Sequence, residues 1–88
     1  AVALGLANMV VPRERLMDET MALADRIAEK SPLVLKLLKR TLNDGADMAL
    51  PSALAHEQAM IGLVLDTDDA HEGCQAFLEK RKPVFKGV

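Results

Sequence analysis

TDDAHEGCQAFLEKRKPVFKGV, Thr67 to Val88, spells a helix with both ends marked, followed by a tail that cannot extend it. The Thr67 hydroxyl is suited to cap the first turn, and Asp68 and Asp69 place negative charge where unpaired N–H groups and the macrodipole favour it. Glu79, Lys80, Arg81 and Lys82 close the last turns with mostly positive charge, and Pro83 forbids continuation. Ala70, Cys74, Phe77 and Leu78 recur at helical spacing. They predict an inner, apolar face, with the basic end projecting beyond whatever that face covers.

Outward from this segment the chain reads as further helices. Met48 to Leu65 forms one, with Asp47 as its cap, Pro51 in or near its first turn, and Leu50, Leu54, Ile61 and Leu65 along one side. Gly62 inside it costs ~1 kcal/mol relative to Ala, which a close helix crossing would offset. Ser31-Pro32 starts another helix, because Ser supplies a capping oxygen and Pro is tolerated only in a first turn. That helix carries Leu35, Leu38 and Leu42 as a stripe and is expected to end at the turn-forming Asn43-Asp44-Gly45. Arg13 to Lys30, entered through Pro12 at a first helical position, is amphipathic, with Leu16, Thr20, Leu23, Ala24 and Ile27 on one face. Ala1 to Leu4 reads as a last helical turn with Gly5 in the left-handed position after it, and Leu6 to Val11 as a short extended piece.

The fold class is therefore all-α, with four to five helices. Half of the 88 residues are hydrophobic but only Phe77 and Phe85 are aromatic, so the packing must rest on Leu, Met, Val and Ala. A net charge of -2 argues against nucleic acid as the partner, since phosphate-driven binding needs a basic face. The single cysteine, Cys74, forms no internal disulfide, and no long apolar run suggests a membrane span. A cytoplasmic or organelle-matrix location fits. The first residue is not Met and the chain opens inside an apolar run, which is the pattern of a piece of a longer protein.

The titratable residues assemble into no catalytic constellation. His56-Glu57 and His71-Glu72 are adjacent pairs, so on a helix they point apart, and a metal site needs ligands three or four residues apart on one face. Cys74 lies on the apolar stripe with no base beside it and reads as a buried structural thiol. Glu57, Glu72 and Glu79 are carboxylates on helix surfaces, where the ordinary state is a solvated charge. One group stands out. Phe77 beside Lys80, Arg81, Lys82 and Lys86 joins a flat ring to several cations, which is what stacking on adenine and neutralising phosphates requires. The same cations also complement a helix C-terminus, and Phe77 also falls on the packing stripe.

The order of short motifs carries more. Gly5-Leu6, Val11-Pro12, Ile27-Ala28, Ser31-Pro32, Thr67-Asp68-Asp69, Glu72-Gly73, Ala76-Phe77, Glu79-Lys80-Arg81 and Pro83-Val84-Phe85, taken together, resemble the C-terminal portion of the enoyl-CoA hydratase/isomerase (crotonase) superfamily. The resemblance covers essentially all 88 residues, with mild departures at Ala7 and Asp68. It implies a ββα-spiral core that binds an acyl-CoA thioester and polarises its carbonyl through two backbone N–H groups, with two glutamates activating water in the hydratases. It also implies that those parts lie in the spiral core before Ala1, so that this chain is not expected to catalyse by itself. What it contains resembles the helical trimerisation region, whose last helix reaches towards the CoA of a neighbouring subunit. By that match Phe77 corresponds to an aromatic near the adenine and Lys80 to a lysine near the CoA phosphates, with Gly73 allowing close backbone approach.

The expected partners are an acyl-CoA thioester and either further copies of the chain, as a trimer or dimer of trimers, or the spiral core. No tightly bound cofactor or metal is expected; coenzyme A enters only as part of the substrate. The parent chemistry reads as enoyl-CoA hydratase, with enoyl-CoA isomerase as the alternative. A free-standing helical interaction module that acts through exposed apolar faces, and an independent acyl-CoA carrier, are the readings outside that enzyme class.

Overall fold

The computed structural model describes all residues, Ala1–Val88, as four α-helices and no strand. Pro12 precedes a 3₁₀ turn, Arg13–Arg15, which leads into α1 (Leu16–Ala28); α2 is Pro32–Ala46, α3 Leu50–Leu65 and α4 Asp68–Glu79. The first residues form a turn closed by Gly5 N–H to Val2 C=O and Leu6 N–H to Ala1 C=O, both 3.0 Å, with Gly5 left-handed at φ +76°. That is the hydrogen-bond pattern of a helix C-terminus. Leu6 to Val11, expected to be extended, pairs with no strand; Asn8 to Val11 lies beside Leu16, Thr20 and Leu23 of α1 instead.

Two helix starts follow their caps. The Ser31 hydroxyl accepts from Val34 N–H at 3.3 Å with Pro32 following, and the Thr67 hydroxyl accepts from Ala70 N–H at 3.1 Å. Two boundaries differ from expectation. Helix α2 runs through Asn43-Asp44-Gly45 to Ala46, and the turn falls just after it, where Asp47 N–H donates to Asp44 C=O at 3.3 Å and Met48 N–H to Gly45 C=O at 3.2 Å. Asp47 consequently follows the end of α2 and does not cap α3, whose first turn begins at Ala49 without a side-chain cap. Ala49 is extended (ψ 146°) and Pro51 sits in the first turn, where its missing N–H is tolerated.

The predicted stripes of α2 and α3 face one another. Leu38, Leu42, Leu50, Leu54, Ile61 and Leu65 line an open apolar cleft of about 490 Å³ between the two helices. All six remain at least half exposed or nearly so. The radius of gyration is 16.5 Å, against about 12 Å for a compact chain of this length, and the surface is 7327 Å² against about 5,000 Å². Only Ser31, Asp69 and Ala76 are buried. The helices therefore form an open shell 43 × 39 × 18 Å across, with their apolar faces uncovered.

Candidate functional site

The one part of the chain that does close on itself is the α4–tail hairpin. After Glu79 the backbone turns through Lys80, the single non-glycine residue with positive φ (54°). Lys80 N–H donates to Phe77 C=O at 3.2 Å and Arg81 N–H to Ala76 C=O at 3.0 Å, so the helix ends in the paired bonds that usually surround a glycine. Lys80, Arg81 and Lys82, expected in the last helical turns, thus lie beyond the helix.

The tail then runs back along α4. Glu72 Oε1 accepts from Val84 N–H at 2.9 Å, and further on Asp69 accepts from Lys86 N–H at 2.8 Å and Gly87 N–H at 2.9 Å. Asp69 N–H in turn donates to Val88 C=O at 2.9 Å. Gly73 leaves room for the Phe85 ring, whose nearest carbon would lie 3.6 Å from a Cβ placed there. The Ser31 hydroxyl, already capping α2, donates to the Asp69 carboxylate, so one buried acid ties α4, the tail and the start of α2 together.

This arrangement reverses the expected faces of α4. Asp69, at 2% exposure, and Ala76, at 1%, face inward, while Phe77, at 82%, and Leu78, at 79%, face out. Cys74, expected to be buried, is exposed. The physical reason is that a carboxylate with its hydroxyl and amide donors all supplied is as acceptable inside as an apolar group, and hydrophobic spacing carries no sign of that. The only visible signal was a helix-initiating Asp followed eighteen residues later by Gly, and it is weak.

Arg81 is held, not free. Its guanidinium makes a two-pronged contact with Glu72, 2.6 Å and 3.0 Å, and its Nε donates to Glu79 Oε2 at 2.5 Å. Hydrogen bonds from Arg81 first, then from Val84 N–H, pull the Glu72 carboxyl down to about 2 despite opposing desolvation. Glu79 is lowered by Arg81 and Gln75, and Asp69 by Ser31 and, against desolvation, by the tail amides. These shifts run away from neutral pH, so neither Glu72 nor Glu79 is tuned as a general acid or base. Lys82 Nζ lies 3.4 Å from Glu29 Oε1.

Of the five residues picked out in the sequence, then, the structure keeps Phe77 and Lys80 available at the same helix end and occupies Arg81 internally. Lys80 and Lys86 have no carboxylate within ion-pair distance, and Phe77 presents an open ring. An exposed ring one helical turn before an unpaired ammonium can take a flat heterocycle and an anionic group from one ligand. Glu57 lies in the lining of the α2–α3 cleft, away from this tip. His56 Nε2 approaches Asp44 Oδ2 at 3.6 Å, and His71 Nδ1 lies 2.9 Å from Thr67 C=O; no group of three His, Cys, Asp or Glu side chains is placed to hold a metal.

Known proteins share this sequence and shape. The family model described as enoyl-CoA hydratase/isomerase matches residues 1–88. The chain is 40% identical over 83 residues to the 2,3-dehydroadipyl-CoA hydratase of Escherichia coli K12, covering 94% of this chain and 32% of that protein. It is 40% identical over 89 residues to the methylmalonyl-CoA decarboxylase of the same organism, covering 99% of this chain and 34% of the relative. The crystal structure of an enoyl-CoA hydratase from Bacillus anthracis matches it with a TM-score of 0.95 at 35% identity, over 100% of this chain and 34% of that one. The chain thus spans about a third of the length of the relatives it matches.

Proposed function

This chain belongs to the enoyl-CoA hydratase/isomerase family, and from that premise we propose that it is the helical, CoA-contacting part of an enzyme that adds water to a 2-enoyl-CoA. Phe77 takes the adenine and Lys80 the phosphates of the substrate's CoA moiety; the oxyanion hole and the water-activating glutamates come from a spiral core outside these residues. The observation that carries the reading is the exposed Phe77 ring beside the unpaired Lys80 at the end of α4. The relatives support it in a specific way. A hydratase and a decarboxylase differ at the reacting carbons and share the CoA thioester by name. A region that matches both at 40% identity is one suited to the shared handle.

The open shell also bears on assembly. Uncovered stripes along α2 and α3 suit contact with further copies of the chain in a trimer, or with the core. No helix is long and apolar enough to cross a membrane.

The test is Lys80→Glu in the intact enzyme. Because the contact is remote from the reacting carbons, KM for the acyl-CoA rises about tenfold or more while kcat holds, the loss expected for one charge-assisted contact. An unchanged KM rejects the assignment.

A further inference from the structure

We propose that Glu72 is a positioning residue for the CoA contact: acting through Arg81 and the tail, it holds Lys80 in the left-handed conformation from which its ammonium reaches the substrate's phosphates. The inference rests on the assignment of Lys80 made above.

Lys80 is an unusual choice for its position. A side chain at φ 54° is disfavoured, glycine is the ordinary occupant of such a helix end, and a lysine persists there only when its surroundings over-determine it. Upstream, the bonds to Ala76 and Phe77 carbonyls fix the turn. Downstream, the nearest restraint on the backbone is the Glu72 carboxylate, with Asp69 holding the Lys86 and Gly87 amides further along the tail. Glu72 holds the Arg81 guanidinium by two prongs and Val84 N–H by a third bond, so the residues on both sides of Lys82-Pro83 are fastened to one side chain on α4. Glu79 adds only the Arg81 Nε contact. Remove the charge on Glu72 and the stretch from Arg81 to Val84 loses its main fastening, keeping only the Glu79 and Glu29 contacts and the Asp69 anchor at the tail's end, so that the upstream turn must do more to keep the left-handed angle.

The same clamp explains why Lys80, and not Arg81, is the available cation at the helix end. Arg81, the neighbour best shaped to grip a phosphate, is turned back onto Glu72 and Glu79, and Lys80 is left without an acidic partner. The carboxylate therefore does two things at one place: it withdraws the arginine and presents the lysine.

The test uses steady-state kinetics of the intact enzyme with an acyl-CoA and with the same acyl group on pantetheine, which lacks the nucleotide and its phosphates. Glu72→Gln is expected to raise KM for the acyl-CoA about fivefold, with kcat and the pantetheine KM unchanged, as loss of one charge-assisted restraint implies. Combined with Lys80→Ala, it adds nothing further, since both changes act through one contact. Arg81→Lys keeps the positive charge and loses the two-pronged grip; it is expected to reproduce the Glu72→Gln effect and is read alongside in case one variant does not fold. Equal effects on both substrates, full additivity with Lys80→Ala, or no change in either KM would overturn the inference. Lys80→Ala is also measured alone: if it leaves the acyl-CoA KM untouched, the CoA assignment itself falls and takes the inference with it. A Lys80→Ala effect without a Glu72→Gln effect removes the inference and keeps the assignment.

Discussion

Asp69 shows how one residue can hold three parts of a chain. Its carboxylate accepts from Ser31 and from two tail amides, and its own N–H reaches Val88. Gly87 is the matching requirement on the tail. It adopts φ +78°, and a Cβ there would stand 3.1 Å from Pro32 Cγ. Gly87→Ala is expected to destabilise the enzyme by about 1–3 kcal/mol, measured by urea unfolding; a neutral effect would mean that the tail is not seated on Pro32. Glu72 gives a pH signature with a definite sign. Its carboxyl falls from about 4.5 to about 2 on folding, so the stability it contributes is fully present above about pH 4.5 and is lost as pH falls towards about 2. The clamp's contribution to the unfolding midpoint should therefore be full and constant from about pH 5 to 9 and decline in acid; Glu72→Gln should lower the midpoint at neutral pH and remove that part of the acid decline. A neutral-pH midpoint that Glu72→Gln leaves unchanged would contradict the geometry.

At the level of elements, the caps and prolines were legible because their chemistry is local. Ser31-Pro32 and Thr67 begin helices through bonds within three residues, and Pro51 sits in a first turn. The Asn43-Asp44-Gly45 turn and the Asp47 cap were not realised: these turn-formers close the last turn of α2, and Asp47 follows its end instead of starting α3. Gly62 behaves differently from the expectation of a close crossing. Nothing in this chain lies within 4 Å of a Cβ placed there. Gly62→Ala should accordingly raise the helicity of the 88-residue chain in circular dichroism, by a stabilisation of about 1 kcal/mol within α3. Unchanged or lower helicity would show that the residue is pressed upon after all.

Seen whole, the chain is a shell and not a globule, with the cleft between α2 and α3 open and α1 standing apart from the other helices. With three buried residues, the chain by itself has too little core to offset the entropy of ordering it. Isolated, it is expected to associate or to unfold without a sharp transition, as read by sedimentation velocity and a thermal scan. A monodisperse monomer melting cooperatively would contradict that. The sequence by itself determined the all-helical class, the order of the helices, the Ser31 and Thr67 starts, and the pairing of Phe77 with Lys80 on one short segment, because each depends on bonds or spacings within a few residues. Tertiary structure alone decided which face of α4 turns inward, which cations of the tail stay free, and that Cys74 is exposed. Those outcomes depend on Asp69 and Glu72 meeting backbone N–H groups of the returning tail, and no local periodicity records where a chain comes back to.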